Sequence, residues 1–217
     1  MNHTEVPALS ALMAIHFPEL TEGERASFSS FYGAVLRENE VQNITRLTSP
    51  EDFLFGHILD CVSLRRSDLV EFPAMDLGSG LGVPGIGCAF LGMGPWILAE
   101  SERRKAEFLS GVIQELKIED VSAFSGRGEK YLESGVANSV VARAVGPVER
   151  IFSWIKGCST WNNLILFKGP AWDEEWKSFC STEQGRKLIL TGEYAYEAGP
   201  EKKQRRIIRL DRLPLPK

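Results

Sequence analysis

From residue 72 onward, short apolar segments alternate with amphipathic segments, and this alternation restricts the possible folds more than any other feature of the chain. Such a pattern is typical of parallel β-strands covered on both faces by helices. The segments that we predict to be strands are residues 74–77, 96–99, 121–124, 140–142 and 164–167. Apolar residues at helical spacing separate the second from the third. We therefore predict an α/β fold with a doubly wound, mostly parallel sheet.

The two ends of the chain depart from this alternation. Residues 187–195 and 205–210, separated by Gly199-Pro200, are predicted to form an antiparallel pair, so that the sheet ends in an antiparallel C-terminal strand. In the first 70 residues the spacing is helical, and Ser49-Pro50 has the form of a helix start, with a capping serine before a first-turn proline. We expect an N-terminal helical extension over residues 1–70 and a main domain, a single compact unit, over residues 71–217.

Composition excludes several classes of protein. A chain of 217 residues suits one α/β domain with a short extension. No apolar run approaches the roughly 20 residues that a membrane-spanning helix needs, and the first ten residues lack the form of a secretion signal. The four cysteines are scattered in apolar surroundings, which favours buried free thiols over a zinc site or disulfides. We expect a cytoplasmic monomer without membrane contact.

The formal net charge of −4 argues against a protein that coats nucleic acid through overall positive charge. Local basic faces remain possible at residues 103–105, at Lys168 and at residues 202–206. Taken alone, each of these is more typical of a solvated surface than of a binding patch.

The first predicted strand leads into a glycine-rich loop, Asp76-Leu77-Gly78-Ser79-Gly80-Leu81-Gly82-Val83-Pro84-Gly85. In a doubly wound sheet, ligands bind at the carboxyl ends of the strands, and the loop after the first strand is the usual contact. Glycine permits positive φ and close approach of a ligand, so we expect the loop N–H groups to face that ligand. Pro84 suits the first turn of a helix, which is predicted over Gly85–Phe90.

Two ligand classes compete for this loop. Gly80, Gly82 and Gly85 formally match the G-x-G-x-x-G dinucleotide fingerprint, but in dinucleotide folds the first glycine directly follows the strand. Here Asp76 comes first, and its negative charge would oppose a pyrophosphate. An acid beside the loop suits a cationic ligand, and S-adenosylmethionine carries a sulfonium and an ammonium but no phosphate. The methyl donor is therefore the favoured ligand.

Glu100 provides the second part of this site. It closes the second predicted strand, 24 residues after Asp76, where a carboxylate can accept hydrogen bonds from the ribose hydroxyls of either ligand. By itself Glu100 could equally be a solvated acid beside the helix start at Ser101. Combined with the glycine loop, it supports a nucleoside-binding site.

Several segments, taken with this loop, resemble one known family. The most specific are Gln42-Asn43-Ile44-Thr45, His57-Ile58-Leu59-Asp60-Cys61-Val62-Ser63-Leu64 and the loop with Pro84 directly after its glycines. Further matches are Glu100-Ser101, Arg103-Arg104-Lys105, Arg127-Gly128-Glu129, Ala142-Arg143-Ala144 and Phe167-Lys168-Gly169. Over residues 25–170 the chain resembles the RsmG family, also called GidB, of bacterial methyltransferases that modify a guanine N7 of 16S ribosomal RNA.

The resemblance implies a Rossmann-like class I methyltransferase fold, S-adenosylmethionine as the cofactor, and 16S rRNA or the small ribosomal subunit as the partner. Carried over residue by residue, the cofactor contacts of the family fall on Gly78, Val83, Gly128, Glu129 and Arg143, with the adenine near the third-strand loop. The loop argument adds Asp76, Gly80, Gly82 and Glu100. The chain departs from the family at Glu100, usually aspartate, and at Ala142 and Cys61, both usually serine.

The implied chemistry needs little acid or base catalysis. The nucleophile is a ring lone pair without a proton, so the rate depends on holding N7 within about 3–3.5 Å of the methyl carbon and in line with the breaking bond. We therefore expect no nucleophilic cysteine or histidine, no general base and no metal. Arg143, the one residue assigned to the catalytic group, would position the methionine carboxylate or an RNA phosphate.

RNA contacts are assigned to Asn43, His57, Arg103 and Lys168. His57 and Asp60, three residues apart, are predicted to share one helix face, where they either line the RNA entrance or form a local polar pair. Lys168 ends the fifth strand at the edge where the glycine loop emerges, a suitable place for a phosphate contact. Two alternatives remain open: a non-enzymatic nucleotide-binding ribosome assembly factor, and a methyltransferase that acts on another substrate.

Overall fold

In the computed structural model, which describes residues 5–213, a seven-stranded sheet has the order β3-β2-β1-β4-β5-β7-β6. The strands are β1 (Ala74–Leu77), β2 (Trp96–Glu100), β3 (Val121–Ser125), β4 (Ser139–Arg143), β5 (Asn163–Lys168), β6 (Leu188–Ala198) and β7 (Lys203–Arg212). β1 to β5 are parallel, whereas β7 runs antiparallel to both β5 and β6. The chain first moves outward from β1 to β3 and then returns to β4 on the other side of β1. This reversal between β1 and β4 is where ligands bind in doubly wound folds.

Helices connect the strands and precede the first of them. They are α1 (Glu5–His16), α2 (Glu22–Gln42), α3 (Pro50–Phe53), α4 (Leu59–Ser67), α5 (Gly85–Phe90), α6 (Arg103–Glu115), α7 (Gly128–Tyr131), α8 (Val148–Ile155) and α9 (Trp172–Cys180). A π-helical turn, Leu54–Ile58, joins α3 to α4, and a 3₁₀ turn, Gly185–Lys187, precedes β6.

The helix ends follow from local chemistry. The Thr21 hydroxyl accepts the Glu24 N–H while the Glu24 carboxylate accepts the Thr21 N–H, which is a capping box at the start of α2. The Ser49 hydroxyl accepts the Asp52 N–H and Pro50 follows at the first helical position, so the predicted helix start is confirmed. The π-helical turn was not predicted, because the apolar spacing of its residues is compatible with an ordinary helix.

Two cores lie on opposite faces of the sheet. Alternate residues of β1 divide between them: Ala74 belongs to the core that includes the N-terminal helices, and Met75 and Leu77 belong to the other. The first core contains aromatic residues of α2, such as Phe28 and Phe31, beside residues of the sheet. The N-terminal helices thus cover one sheet face together with α5 and α6, while α8 and α9 cover the other.

The predicted strands and the antiparallel C-terminal pair are confirmed, each within a few residues. The helix over Gly85–Phe90 is also confirmed. The prediction for the cysteines is correct for Cys61 and Cys88, which are buried, and wrong for Cys180, which is exposed near the end of α9. No helix within residues 5–213 is both long and apolar enough to cross a membrane.

Candidate functional site

The glycines of the loop after β1 meet different structural demands. Gly78, Gly80 and Gly82 all have positive φ, at 70°, 59° and 103°. A Cβ on Gly82 would lie 2.5 Å from Ile86 Cδ1, and one on Gly85 would lie 2.3 Å from Leu98 Cδ2. Gly82 and Gly85 are thus needed for close packing of the loop on α5 and β2. Gly78 differs because it is exposed.

The loop amides bond to protein acceptors, so the expectation that they face a ligand is wrong for most of them. The N–H groups of Gly78 and Ser79 donate to the Ala99 carbonyl at 2.9 and 3.2 Å, and the Gly82 N–H donates to the Ser79 carbonyl at 2.8 Å. The Gly80 N–H donates to Glu100 Oε2 at 2.9 Å. A tight loop satisfies its own backbone groups because buried N–H groups without partners are costly.

Both predicted carboxylates brace this loop. Asp76 is buried, and its Oδ2 accepts the Ser79 hydroxyl at 2.9 Å and the Gly85 N–H at 3.0 Å. Burial raises the pKa of Asp76 to about 6, although these hydrogen bonds oppose the shift. Glu100 is also buried, and its Oε1 accepts the Glu102 N–H at 2.8 Å while Oε2 holds Gly80. Their contacts with a cofactor stay predictions.

A cleft of about 290 Å³ opens beside the loop at the carboxyl ends of β1, β2 and β3. We call it the glycine-loop cleft; its lining includes Gly78, Ser101, Gly128, Glu129, Val145 and Trp154. Three predicted cofactor residues, Gly78, Gly128 and Glu129, therefore lie around one opening. Gly80, Gly82 and Val83 form the turn behind it, where Gly82 and Val83 are buried.

The cleft requires glycine at two of these positions. A Cβ on Gly128 would lie 2.3 Å from Leu77 Cδ1, so α7 can begin close against β1 only with glycine there. A Cβ on Gly78 would lie 3.2 Å from Val145 Cγ2. Gly78 and Val145 are thus close, and any larger side chain on Gly78 would narrow the cleft.

Sequence reasoning missed Ser101, Val145 and Trp154 as parts of this cleft. Trp154 lies on α8, whose buried residues are Val148, Ile151, Phe152 and Ile155. The Trp154 side chain is outside that apolar set and is 37% exposed. A large aromatic residue on the exposed side of an amphipathic helix is a signal for ligand contact that could have been used.

Arg143, at the end of β4, joins three parts of the structure. Its Nε donates to the Val83 carbonyl at 3.2 Å, and its Nη1 donates to the Gly56 carbonyl at 2.8 Å and to Asp60 Oδ2 at 3.0 Å. The guanidinium therefore connects the glycine loop, the π-helical turn and α4. The carboxylate that Arg143 contacts in the structure is that of Asp60. Its contact with the carboxylate of a cofactor stays a prediction.

His57 is the fourth partner of Arg143 and lies on the π-helical turn. Arg143 Nη2 lies 3.0 Å from His57 Nδ1, and His57 Nε2 lies 3.2 Å from the Thr45 hydroxyl. Arginine can only donate, so Nδ1 accepts and the proton of the neutral ring is on Nε2. Burial, with repulsion from Arg143 and Arg205, lowers the pKa of His57 to about 3. The prediction that His57 and Asp60 face the same way is confirmed, since both contact Arg143.

The remaining predicted RNA contacts are Lys168, Arg103 and Asn43, and each has a structural partner or role within the protein. Lys168 Nζ is 2.7 Å from Glu175 Oε1 and 3.2 Å from the Gly146 carbonyl, and its side chain is only 9% exposed. Arg103 is exposed at the start of α6 and pairs with Glu107 at 2.7 Å. Asn43 ends α2 in the left-handed conformation that asparagine tolerates, which gives it a structural role.

Solved structures with low sequence identity share this fold. An MtNAS mutant in complex with S-adenosylmethionine aligns with a TM-score of 0.56 at 17% identity, covering 96% of this chain and 84% of that chain. M. capricolum TrmK in complex with S-adenosyl-homocysteine aligns with a TM-score of 0.52 at 10% identity, covering 72% and 70%. These likenesses confirm the predicted Rossmann-like class I methyltransferase fold.

Sequence relatives identify the family. Ribosomal RNA small subunit methyltransferase G of Rhodopirellula baltica is 34% identical over 159 residues, which are 72% of this chain and 68% of that protein. The protein of the same name from Solibacter usitatus is 30% identical over 174 residues, 79% of this chain and 83% of that protein. Residues 24–195 match the family described as GidB, rRNA small subunit methyltransferase G. The resemblance inferred from the motifs is thereby confirmed: the chain belongs to the GidB family of rRNA small subunit methyltransferases.

Proposed function

We propose that this protein transfers a methyl group from S-adenosylmethionine to a guanine N7 in the 16S rRNA of the small ribosomal subunit. Family membership supports the reaction class and the substrate. One structural observation carries the assignment of the site. Gly78, Gly128 and Glu129, which were assigned to the cofactor from sequence, line one cleft at the carboxyl edge of the sheet.

Several features of the glycine-loop cleft support its assignment to this cofactor. The backbone of Gly78 is accessible from the cleft, because glycine lacks the Cβ that would otherwise lie against Val145. Glu129 and Ser101 supply a carboxylate and a hydroxyl, and Trp154 supplies an aromatic surface suited to a purine. S-adenosylmethionine, when bound, supplies a methyl carbon activated by its attachment to a positively charged sulfur. Gly78, Ser101, Gly128, Glu129 and Trp154 are the residues that would hold it.

The residues around the cleft fit a reaction without proton transfer. In the transfer, the N7 lone pair forms the new N–C bond while the electron pair of the breaking C–S bond stays on sulfur. The guanine ring gains positive charge, so an unpaired cation against it would slow the reaction. Arg143 lies 3.0 Å from Asp60, which also pairs with Arg205, so the carboxylate offsets part of the charge of Arg143. The protein thus acts chiefly by orienting the two reactants.

The direct test is methyl transfer in vitro. Small ribosomal subunits and protein-free 16S rRNA, both prepared from cells that lack the enzyme, are incubated with the protein and methyl-labelled S-adenosylmethionine. The rRNA is then digested to nucleosides. We expect the label in 7-methylguanosine. Label in another nucleoside would contradict the guanine N7 assignment, and binding without label would favour a non-enzymatic assembly factor.

A further inference from the structure

A second cleft, of about 590 Å³, opens at the same edge of the sheet, beside the ends of β4 and β5. The β6–β7 hairpin and the π-helical turn complete its walls. We call it the basic cleft; its lining includes Asp60, Arg143, Phe167, Tyr196, Lys203 and Arg205. Two of its residues, Tyr196 and Arg205, come from β6 and β7, the C-terminal pair of strands.

The two clefts are separated by a short stretch of backbone. Arg143 and Ala144 line the basic cleft, whereas the next residue, Val145, lines the glycine-loop cleft. Ala144 is exposed and has φ of 59°, a strained conformation for a residue other than glycine. The two clefts are therefore adjacent at residues 144 and 145.

The charges of the basic cleft favour an anionic ligand. Its lining contains Arg143, Lys168, Lys203 and Arg205 but only one carboxylate, Asp60, although the whole chain has a net charge of −4. All four cations have carboxylate partners: Lys168 pairs with Glu175 and Arg143 with Asp60, and the side chains of these two cations are only 9% and 17% exposed. Lys203 pairs with Glu201 at 2.9 Å and Arg205 with Asp60 at 2.7 Å, but these two cations are the more accessible to a ligand. Their side chains are 70% and 32% exposed.

The aromatic residues of the basic cleft distinguish a nucleotide from a bare anion. Phe167 and Tyr196 are both half-buried and border the same opening as the cations. Aromatic rings beside cations are typical of surfaces that bind single-stranded nucleic acid, since rings contact bases and cations contact phosphates.

Asp60 orients the cationic side of the cleft. Its Oδ1 accepts Arg205 Nη1 and the Tyr196 hydroxyl, both at 2.7 Å, and its Oδ2 accepts Arg143 Nη1 at 3.0 Å. Asp60 is itself buried, so these bonds hold both guanidinium groups and the tyrosine in fixed directions. Three residues distant in sequence thus depend on one carboxylate.

We propose that the basic cleft binds the target nucleotide of the RNA substrate, with Lys203 and Arg205 on its phosphate groups and Asp60 as a positioning residue. The proposal rests on the proposed function. The base lies on the side of Phe167 and Tyr196, and its N7 approaches the glycine-loop cleft over Ala144.

Arg205 and Arg206 form a matched pair for the test. They are adjacent on β7, so their side chains point to opposite faces of the sheet. Arg206 pairs with Asp173 at 2.7 Å, on the other side from Asp60. Arg205→Gln and Arg206→Gln remove the same charge, but only the first removes it from the basic cleft.

The measurements are steady-state methyl transfer to small subunits that lack the modification, binding of the same subunits by filter retention, and cofactor affinity by calorimetry. A charge-assisted hydrogen bond to phosphate is worth about 1.5–3 kcal/mol, so Arg205→Gln is expected to raise KM and the dissociation constant for subunits by about tenfold or more. Its affinity for S-adenosylmethionine should stay within about twofold of wild type. Arg206→Gln should match wild type. Equal effects of the two variants, or none, would overturn the proposal.

Filter retention separates this proposal from the proposed function. If wild type transferred no methyl group, the proposed function would fail, while the difference between Arg205→Gln and Arg206→Gln in RNA binding would still decide the proposal. If Arg205→Gln did not fold, exposed Lys203 would replace it, with its neighbour Lys202 as control. Lys203→Gln should then weaken subunit binding by about threefold or more, whereas Lys202→Gln should not. Equal binding by these two would also overturn the proposal.

The role of Asp60 is tested by measuring whether its substitution changes KM or kcat. Asp60→Asn keeps an acceptor but loses the charge that directs the arginines. A positioning role predicts a raised KM for subunits with kcat and cofactor affinity nearly unchanged. A merely structural role predicts a lower active fraction, hence a lower kcat at unchanged KM, and that result would remove Asp60 from the proposal.

Discussion

Arg143 Nε donates a hydrogen bond of 3.2 Å to the Val83 carbonyl, which ties the end of β4 to the glycine loop. Through its Nη1, the same side chain also binds the Gly56 carbonyl of the π-helical turn. The two clefts are therefore held together by one residue whose contacts reach the N-terminal helices. A change on either side of this connection has consequences that can be measured.

Replacement of Gly78 should block the glycine-loop cleft. In Gly78→Val the new side chain would meet Val145, because even a Cβ would lie 3.2 Å from its Cγ2. We expect loss of S-adenosylmethionine binding by calorimetry, with the circular dichroism spectrum of a folded protein. Gly92→Val is the matched control, since Gly92 has a similar φ of 75° but no atom near its Cβ position.

Both glycine variants should lose about 1–3 kcal/mol of stability from backbone strain alone. A comparison of their urea denaturation curves therefore separates strain from blockage of the cleft. Cofactor binding that survived in Gly78→Val, or disappeared equally in Gly92→Val, would refute the assignment of the cleft.

Trp154 should report cofactor binding by fluorescence. It lines the glycine-loop cleft and is partly exposed, whereas Trp96, Trp161 and Trp172 are fully buried. S-adenosylhomocysteine is expected to change the tryptophan emission of wild type, and Trp154→Phe should lose most of that change. Trp176→Phe is the control, because Trp176 stacks on Trp172 at 5.5 Å, within α9. If Trp176→Phe lost the signal instead, the cofactor would have to bind elsewhere.

His57 should remain neutral throughout the physiological range. Its pKa is lowered from 6.5 to about 3, chiefly by burial. The native state then binds fewer protons than the unfolded chain, so this residue's contribution to stability is complete above pH 6.5 and falls as the pH decreases toward 3. A ¹H–¹⁵N correlation spectrum should show the Nε2–H tautomer without titration between pH 5 and 8. A midpoint near 6.5 would contradict the buried contact with Arg143.

Asp76 should affect stability in the opposite direction. Its pKa is raised from 3.8 to about 6, so the native state binds more protons than the unfolded chain between these values. The contribution of Asp76 to the free energy of unfolding is therefore complete below pH 3.8 and is lost as the pH rises through about 6. At about 1.4 kcal/mol per pKa unit, wild type should lose on the order of 3 kcal/mol relative to Asp76→Asn. Urea denaturation at several pH values measures this difference, and parallel curves for the two proteins would count against it.

The sequence alone predicted the structure correctly where the local pattern of residues determines it. The strand Ala74–Leu77 is uniformly buried, and a short apolar run before a glycine loop is what a central parallel strand requires. Ser49 and Pro50 begin a helix by local hydrogen bonding and fixed φ. Gly78, Gly128 and Glu129 were assigned through the resemblance to the family, and they line one cleft in the structure because the carboxyl ends of parallel strands meet at one edge of the sheet.

What escaped prediction depends on contacts between distant residues. Asp60 binds Tyr196 and Arg205, which are 136 and 145 residues away, and no local spacing reports such a partner. The loop amides were expected to face a ligand because glycine permits that geometry. Their partners, the Ala99 carbonyl and Glu100, lie on the adjacent strand and become evident only once the strands are paired.

The central claim is tested most directly by mass spectrometry of nucleosides from the small-subunit rRNA of cells with and without this protein. We predict that 7-methylguanosine decreases when the protein is deleted, returns when wild type is supplied, and does not return with Gly78→Val. An unchanged level of 7-methylguanosine after deletion would contradict the proposed reaction.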